Sequence, residues 1–299
     1  MRIEQANAKI NVYLNIVGRR QNGYHDIASI MQTVSLSDTV TVDFTLAPNT
    51  EISLSAEGSG TMPTDARNLA WRAAEAFLQA THQTGKVDIH IVKRIPMAAG
   101  LAGGSADAAA VLRALNTLCP NSLSLDDLLS LGATLGADVP FCICGGSAYV
   151  TGIGDCMEKF PMMPKSYLVV ACHGEGVSTP LAYGQLDQKY HFFSNFTAYD
   201  DYREKSIALQ WKNGDLISSS KSFFNLFEEV VPTIQGSVEE LKKIMRNQGA
   251  YFAMMSGSGP SVFGIFSSEV LAQKACEILK SMGATAYVCQ PCEGYFDNK

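Results

Sequence analysis

Apolar and polar positions alternate with a period of two through much of the start of the chain. The runs 10–17, 27–36, 40–44 and 52–56 are short apolar or alternating segments separated by polar and glycine-containing turns, the pattern of β-strands. The period then lengthens. Leu69, Ala73, Phe77 and Leu78 share one face over residues 67–80, which predicts an amphipathic helix. Alternation returns at 87–95, with Val87, Ile89 and Ile91 on one side, and ends in Pro96 and a glycine-rich turn. Residues 106–118, rich in Ala with Val111, Leu112 and Leu115 on one side, predict a second helix. Ser124 and Asp127 resemble a capping box opening a third over 125–135. Two β-segments near 141–150 and 156–160 predict a hairpin.

Pro161-Met162-Met163-Pro164 then marks a domain boundary, dividing 1–162 from 163–299. The second part opens with a strand at 167–172. A polar, aromatic stretch follows over 187–221, where no periodicity assigns an element. Ser237 and Glu240 predict a capping box and a helix to Arg246. Beyond it come a strand (251–255), a glycine turn, a strand (262–266), a helix (269–282) and a strand (285–289). Strands and helices segregated in this way argue for an α+β protein rather than a doubly wound parallel sheet.

Composition narrows the picture. At roughly 150 residues per domain, 299 residues suit two domains, and 46% hydrophobic content supplies ordinary cores. There is no internal repeat and no low-complexity tract. Lys and Arg number 23 against 29 Asp and Glu, a net charge of −6 without a basic run, so nucleic acid is a poor candidate ligand. No apolar stretch approaches the ~20 residues that span a bilayer, and the polar start of the chain has no apolar signal core. A cytoplasmic protein with no membrane partner is expected. Most of the eight cysteines sit in apolar contexts, as free thiols in a reducing compartment do. Cys289 and Cys292 spell C-x-x-C, weak evidence for a metal or redox site, and no metal-ligand cluster is visible.

The most informative stretch is Pro96-Met97-Ala98-Ala99-Gly100-Leu101-Ala102-Gly103-Gly104-Ser105-Ala106-Asp107, between a predicted strand and a predicted helix. Glycines let a backbone turn several N–H groups onto an anion, and the following helix adds the positive end of its dipole. Ser105 can cap the helix, contact phosphate or help hold a magnesium ion. A lysine does not follow the glycines and no acidic residue stands at the dinucleotide spacing, which demotes both common nucleotide motifs. A tight turn packed on a neighbouring strand is the plain alternative. A second turn, Ser256-Gly257-Ser258-Gly259-Pro260, is by itself a hairpin with glycine at positive φ. Its interest lies in the pairing with the first. Asp138 stands among uncharged, mostly apolar neighbours, an unusual place for a solvated carboxylate, although a turn or helix-terminal Asp fits as well. Lys9 and Asn11 share one face of a predicted strand. Lys9 otherwise suits an exposed edge.

These pieces occur together and in this order in the GHMP kinases, the superfamily of galactokinase, homoserine kinase, mevalonate kinase and phosphomevalonate kinase. Residues 96–109 resemble its phosphate loop in a G-G-S form, and residues 256–260 are similar to its third motif. Ala8-Lys9-Ile10-Asn11, Gly18-Arg19-Arg20, Asn22-Gly23-Tyr24-His25 and Leu135-Gly136-Ala137-Asp138-Val139-Pro140-Phe141 resemble one branch, whose substrate carries cytidine diphosphate. The likeness runs from Ala8 to Phe266.

The resemblance implies a two-domain α+β GHMP kinase fold, with an N-terminal domain like ribosomal protein S5 domain 2 and a ferredoxin-like C-terminal domain. It implies ATP-dependent phosphorylation of the 2-hydroxyl of the polyol on a small-molecule cytidine diphosphate substrate, in the non-mevalonate route to isoprenoid precursors. Asp138 would be the general base, assisted by Lys9. Pro96, Ala98, Ala99, Gly100, Leu101, Ala102, Gly103, Gly104, Ser105 and Ala106 would bind the ATP phosphates, and Asn68, otherwise a helix cap, the adenine. Asn11, Tyr24, His25 and Tyr183 would hold the substrate, with the Tyr24 ring stacked on the cytosine, the His25 imidazole on its edge and Tyr183 as a second aromatic wall. Gly257, Ser258 and Gly259 would meet the substrate diphosphate or the γ-phosphate. Magnesium would accompany ATP, held chiefly by phosphates and water. Another GHMP kinase of the homoserine or mevalonate type, or a non-catalytic nucleotide-binding module on the same fold, is the alternative. Monomer and homodimer both remain open.

Overall fold

A computed structural model describes residues 1–58, 62–120, 122–190 and 202–295. Strands β1 (Arg2–Arg19) and β2 (His25–Leu46) form one long antiparallel hairpin. They are followed by β3 (Glu51–Gly58), helix α1 (Leu69–Ala80), β4 (Gly85–Lys93) and helices α2 (Gly103–Leu118), α3 (Leu125–Leu135) and α4 (Val139–Cys144). Strands β5 (Ser147–Thr151), β6 (Cys156–Lys159) and β7 (Tyr167–Cys172) lead to helices α5 (Thr179–Lys189), α6 (Tyr202–Lys212) and α7 (Leu216–Ser220). The chain continues through β8 (Phe224–Asn225), a 3-10 turn at Leu226–Glu229, α8 (Val231–Ile234), α9 (Ser237–Asn247), β9 (Phe252–Met255), β10 (Val262–Phe266), α10 (Glu269–Ser281) and β11 (Thr285–Cys289).

The two runs at 27–36 and 40–44 belong to one strand. Ser37 and Asp38 read as a turn because they are polar, but Asp38 is fully buried and accepts hydrogen bonds from Lys93 Nζ and from the N–H groups of Arg94 and Ile95. A buried ion site inside a strand imitates a turn. The segment 141–150 also needs correction, since its first residues belong to α4 and only 147–151 are extended. A short, wholly apolar run carries no period that separates helix from strand, and Pro140 suits the first helical turn. Helix α2 starts at Gly103 rather than 106, and Ser105 is not its cap. The cap of α9 is Gly236 without a side-chain bond, because Ser237 Oγ donates instead to His173 O at 2.8 Å. Ser124 does cap α3, accepting from Asp127 N. Helix α5, α6 and α7 were carried by no periodicity, and residues 191–201 of the unassigned stretch lie outside the described residues.

The first sheet runs β3-β4-β2-β1-β8, with β5 paired to β2 and β6 to β5. The second has the order β11-β7-β10-β9 with antiparallel neighbours. Taken with α9 and α10 it is a β-α-β-β-α-β unit of ferredoxin-like arrangement, as the resemblance implied. The layers stack helix, sheet, sheet, helix. Met31, Val40, Val87 and Ile89 of the first sheet pack on Ala74, Phe77, Ala109 and Leu112 of α1 and α2. Its other face, with Ile10, Val12, Ala28 and Ile30, meets Leu168, Val170, Phe263 and Ile265 of the second sheet. Val169 and Ala171, one residue out of phase on β7, join Leu241, Met245, Ala275 and Leu279 on the outer helices. The middle of β1 is therefore buried on both faces, and the polar side chains there, Lys9 and Asn11, lie in the interior. Register shifts between Asn7 and Lys9 and between Asn11 and Tyr13 bracket this pair, and such bulges re-aim side chains locally. Among the described residues no helix is long and apolar enough to cross a membrane.

Candidate active site

Strand β4 delivers the chain into the glycine-rich loop. Ala98, Gly100 and Ala102 adopt φ values of 51, 76 and 57°, and alanine in this region costs on the order of 1 kcal/mol or more. Strain of this kind is retained where the surrounding structure imposes it. The alternating hand turns successive N–H groups toward one side, and α2 begins there with Ala102 as its cap and no side-chain bond to its first turn. The loop therefore presents an anion cradle at a 16-residue helix's positive end.

The second glycine turn closes on it. A Cβ on Gly100 would overlap the Ser256 carbonyl, and one on Gly257 would lie 2.7 Å from Gly100 O. Ser256 Oγ accepts from Asn11 N and donates to Gly100 O, both at 3.2 Å, so one hydroxyl links β1, loop and turn. Ser261 N donates to Ala99 O at 3.2 Å, and Lys9 N to Leu101 O at 3.1 Å. Asn225 Nδ2 donates to Met255 O and Gly257 O at 2.9 Å, fixing the turn from behind. As expected from its glycines, this turn joins two antiparallel strands and has Gly257 and Gly259 at positive φ.

Next to the loop, Lys9 Nζ donates to Asn11 Oδ1 at 2.6 Å and stands 3.8 Å from Asp138 Oδ2. Asn11 Nδ2 donates to Ser29 Oγ at 2.8 Å, whose hydroxyl in turn donates to Tyr13 O at 2.8 Å. Asn11 is thus fixed in orientation, and it aims the buried ammonium. Asp138 occupies the cap position of α4 without capping it, so its carboxylate is left for the cavity. Its charge is felt nearby. Burial first and Asp138 second push the Cys142 thiol up, and the same two causes bring Tyr183 to about 12.

At the far end, the His25 and Tyr183 rings stack with centroids 4.5 Å apart and planes 20° apart. Tyr183 meets Phe227 edge-on at 4.9 Å. His25 Nε2 donates to Asp187 Oδ1 at 2.7 Å, and Arg19 Nε lies 3.6 Å from Asp187 Oδ2. Tyr24, at the tip of the β1–β2 hairpin, is exposed.

Behind the loop lies a second charged cluster. Lys93 Nζ donates to Asp38 Oδ2 and, at 2.7 Å, to Asp107 Oδ2. Burial alone would lower the Lys93 ammonium, and the carboxylates of Asp107 and Asp38 outweigh it and raise it. Burial drives the Asp107 carboxyl up to about 7, against the pull of Lys93. Asp38 also accepts two backbone N–H groups, whereas Asp107 Oδ1 has no partner.

Lys9, Asn11, His25, Lys93, Asp107, Asp138, Tyr183, Asp187 and both glycine turns border one cavity of about 1140 Å³. Of the residues singled out in the sequence, Lys9, Asn11, Tyr24, His25, Asn68, Pro96, Ala98, Ala99, Gly100, Ala102, Gly103, Gly104, Ser105, Asp138, Tyr183, Gly257 and Ser258 line it. Leu101, Ala106 and Gly259 do not; they are buried behind it and shape the backbone. Asn68 does cap α1, accepting from Ala70 N, while bordering the cavity. Sequence reasoning missed Asp187, Lys93 and Asn225, and read Asp107, in the first turn of its helix, as a complement to the helix dipole. Only the first carried a usable signal, its four-residue spacing from Tyr183. For a cation beside bound phosphate, Ser105 and the unpartnered Asp107 Oδ1 border the right end of the cavity. Among the described residues no group of three or more His, Cys, Asp or Glu is placed to hold a metal.

Comparison with known proteins follows the same lines. Residues 68–146 match the GHMP kinases N terminal domain and residues 209–285 the GHMP kinases C terminal domain. The chain is 38% identical to a 4-diphosphocytidyl-2-C-methyl-D-erythritol kinase of Caldicellulosiruptor saccharolyticus over 98% of each chain. It is 38% identical to one of Exiguobacterium sibiricum over 96% of each. A crystal structure of 4-(cytidine 5'-diphospho)-2C-methyl-D-erythritol kinase superposes with a TM-score of 0.80 at 31% identity, covering 98% of this chain and 100% of that one.

Proposed function

The chain belongs to the 4-diphosphocytidyl-2-C-methyl-D-erythritol kinase family of the GHMP kinases, and on that footing we propose that it phosphorylates the 2-hydroxyl of 4-diphosphocytidyl-2-C-methyl-D-erythritol with ATP, a step toward isoprenoid precursors. The observation that carries the mechanism is the Lys9–Asp138 pair, 3.8 Å apart, between the glycine cradle and the aromatic end of one cavity.

Phosphoryl transfer needs little covalent help from the protein. It needs alignment, charge stabilisation and a group to take the hydroxyl proton. In this reading Asp138 accepts that proton at a carboxylate oxygen. Lys9 assists it and offsets charge gathering on the phosphoryl oxygens. Asn11 aims Lys9 and hydrogen-bonds the polyol. Residues 96–106 bind the ATP phosphates through backbone N–H groups, and Asn68 lies at the adenine. Gly257, Ser258 and Gly259 meet the diphosphate or the γ-phosphate. Tyr24, His25 and Tyr183 hold the cytosine, where stacking contributes ~1–3 kcal/mol. Magnesium, brought with ATP and held mostly by phosphate and water with Ser105 or Asp107 beside it, would supply charge neutralisation. The same reading divides the chain at 162/163 and places it in the cytoplasm.

The test is ADP release from MgATP with the cytidyl compound, the product being checked by mass for one added phosphate. Homoserine and mevalonate run in parallel. Turnover with the cytidyl compound alone supports the reading. Turnover with another substrate instead keeps the fold and discards the substrate, and silence with all three discards the kinase.

A further inference from the structure

Past β11 the chain crosses to the first sheet, and residues 290–295 run beside the irregular part of the β1–β2 ladder. Asn7 pairs with Ser37 and Lys9 with Thr33, so Ala8 alone stands opposite Val34, Ser35 and Leu36. The extra backbone of β2 takes partners from the crossing segment. Ser35 N donates to Gln290 O at 2.8 Å and Cys292 N to Thr33 O at 2.9 Å, and Val34 bridges Pro291. A bulge in a buried strand needs such partners, because an unpaired backbone group away from water is costly. The segment thus completes the ladder next to Lys9.

Tyr295 joins this end to the other half of the pair. Its N–H donates to Cys144 O at 2.8 Å and Gly294 bridges Gly145, at the end of α4, the helix that Asp138 opens. The ring lies close on Gly145, where a Cβ would be 3.0 Å from Tyr295 Cδ2. The Arg113 guanidinium stacks on the same ring, 3.6 Å from its centroid. Arg113 Nη1 donates to Cys142 O at 2.8 Å and Nη2 to Gln5 O at 3.0 Å, joining α4 to β1. The phenol oxygen accepts from Asn7 N at 3.3 Å and lies 2.7 Å from both Gln5 O and Asn7 Oδ1, one of which takes its proton. Tyr295 therefore holds β1 just before Lys9 and α4 at the end away from Asp138.

We infer that residues 290–295 are a positioning element for the phosphoryl-transfer step, with Tyr295 the positioning residue that keeps Lys9 and Asp138 at their spacing. The inference rests on the proposed function, in which that pair handles the hydroxyl proton and the charge on the phosphoryl group. Tyr295 does not border the cavity, so it acts only through the elements it ties together. Its effect falls on kcat, because a misplacement of ~1 Å caused far from the chemistry can cost about 10²-fold. The glycine cradle is anchored separately, through Ser256 and Ser261, and ATP binding is spared.

The test compares wild type, Tyr295→Leu, Tyr295→Phe, Asp138→Asn and the two Tyr295 changes in the Asp138→Asn background, with MgATP and the cytidine substrate. In Tyr295→Leu, kcat should fall about tenfold or more while KM for ATP and for the cytidine substrate stays within about twofold. Tyr295→Phe keeps the ring on Gly145 and Arg113 and should recover part of the loss. In the Asp138→Asn background either change should slow turnover by less than about twofold, since the pair it positions is already broken. Wild-type kcat in both single Tyr295 variants overturns the inference and leaves the kinase reading in place. The same fold loss in the Asp138→Asn background, or a loss carried by KM for ATP, marks a merely structural role and also overturns it. Where Tyr295→Leu does not fold, Tyr295→Phe decides by the same criteria. Near-wild-type turnover in Asp138→Asn removes the pair and the inference but not the substrate. A wild-type enzyme silent on the cytidine form would instead overturn the kinase reading, and this inference with it.

Discussion

Lys9 Nζ stands 3.8 Å from Asp138 Oδ2, yet Lys9 is buried while the Asp138 side chain is 32% exposed. The ammonium is thus fixed in the interior and the carboxylate reaches from it into the cavity. Replacing Asp138 with Asn keeps shape and hydrogen bonding and removes the proton acceptor. Turnover should drop by about 10²–10⁴-fold, the usual contribution of a positioned base. KM for ATP should hold. A rate within a few-fold of wild type would remove Asp138 from the chemistry.

Lys9→Met keeps the length of the side chain and removes its charge. Asn11 Oδ1 then loses a buried donor, a cost of about 1–3 kcal/mol in stability. Turnover should fall by about 10²-fold or more if the ammonium stabilises the transferring group. With both residues serving one step, as proposed, the double variant with Asp138→Asn should be little slower than the worse single variant. Multiplicative losses would show that the two act independently.

Gly100→Ala tests the contact between the glycine turns. The added methyl meets the Ser256 carbonyl, and φ is 76°, where L-residues are strained. The expected cost is about 1–3 kcal/mol, together with a raised KM for ATP. Gly104→Ala is the control, since its Cβ would meet nothing closer than Leu69 Cδ1 at 3.8 Å. Equal effects at both positions would deny the interlock.

Much of this was legible beforehand because it depends on short-range pattern. The face of α1, the strands β7, β9, β10 and β11, and both glycine turns follow from periodicity and from glycine's conformational range. What escaped depends on contacts across the chain. Asp38 looked like a turn residue because nothing local announces Lys93, 55 positions away. Ala98 and Ala102 at positive φ are imposed by their surroundings and have no signature in the residue type. Asp187 meets His25, 162 positions away, only because α5 docks on the hairpin tip. Lys9 and Asp138 were visible through their motifs, whereas the groups packed around them were not.

Asp107 offers a prediction that does not involve turnover. Its carboxyl ordinarily titrates at 3.8, and burial raises it to about 7 in the folded protein. Between those values the native state holds a proton that the unfolded chain has released. Stability therefore falls as pH rises through that window and is insensitive to Asp107 on either side of it. Asp107→Asn preserves the contour of α2 and cannot titrate. Lys93 keeps its bond to Asp38 in the variant, and other titrating groups are common to both proteins. Urea unfolding of the pair from about pH 5 to 8 should show wild type losing stability relative to the variant, with the difference levelling off above about pH 8. Parallel stability curves would mean that Asp107 is ionised throughout, and that the unpartnered oxygen beside the phosphate cradle carries full charge.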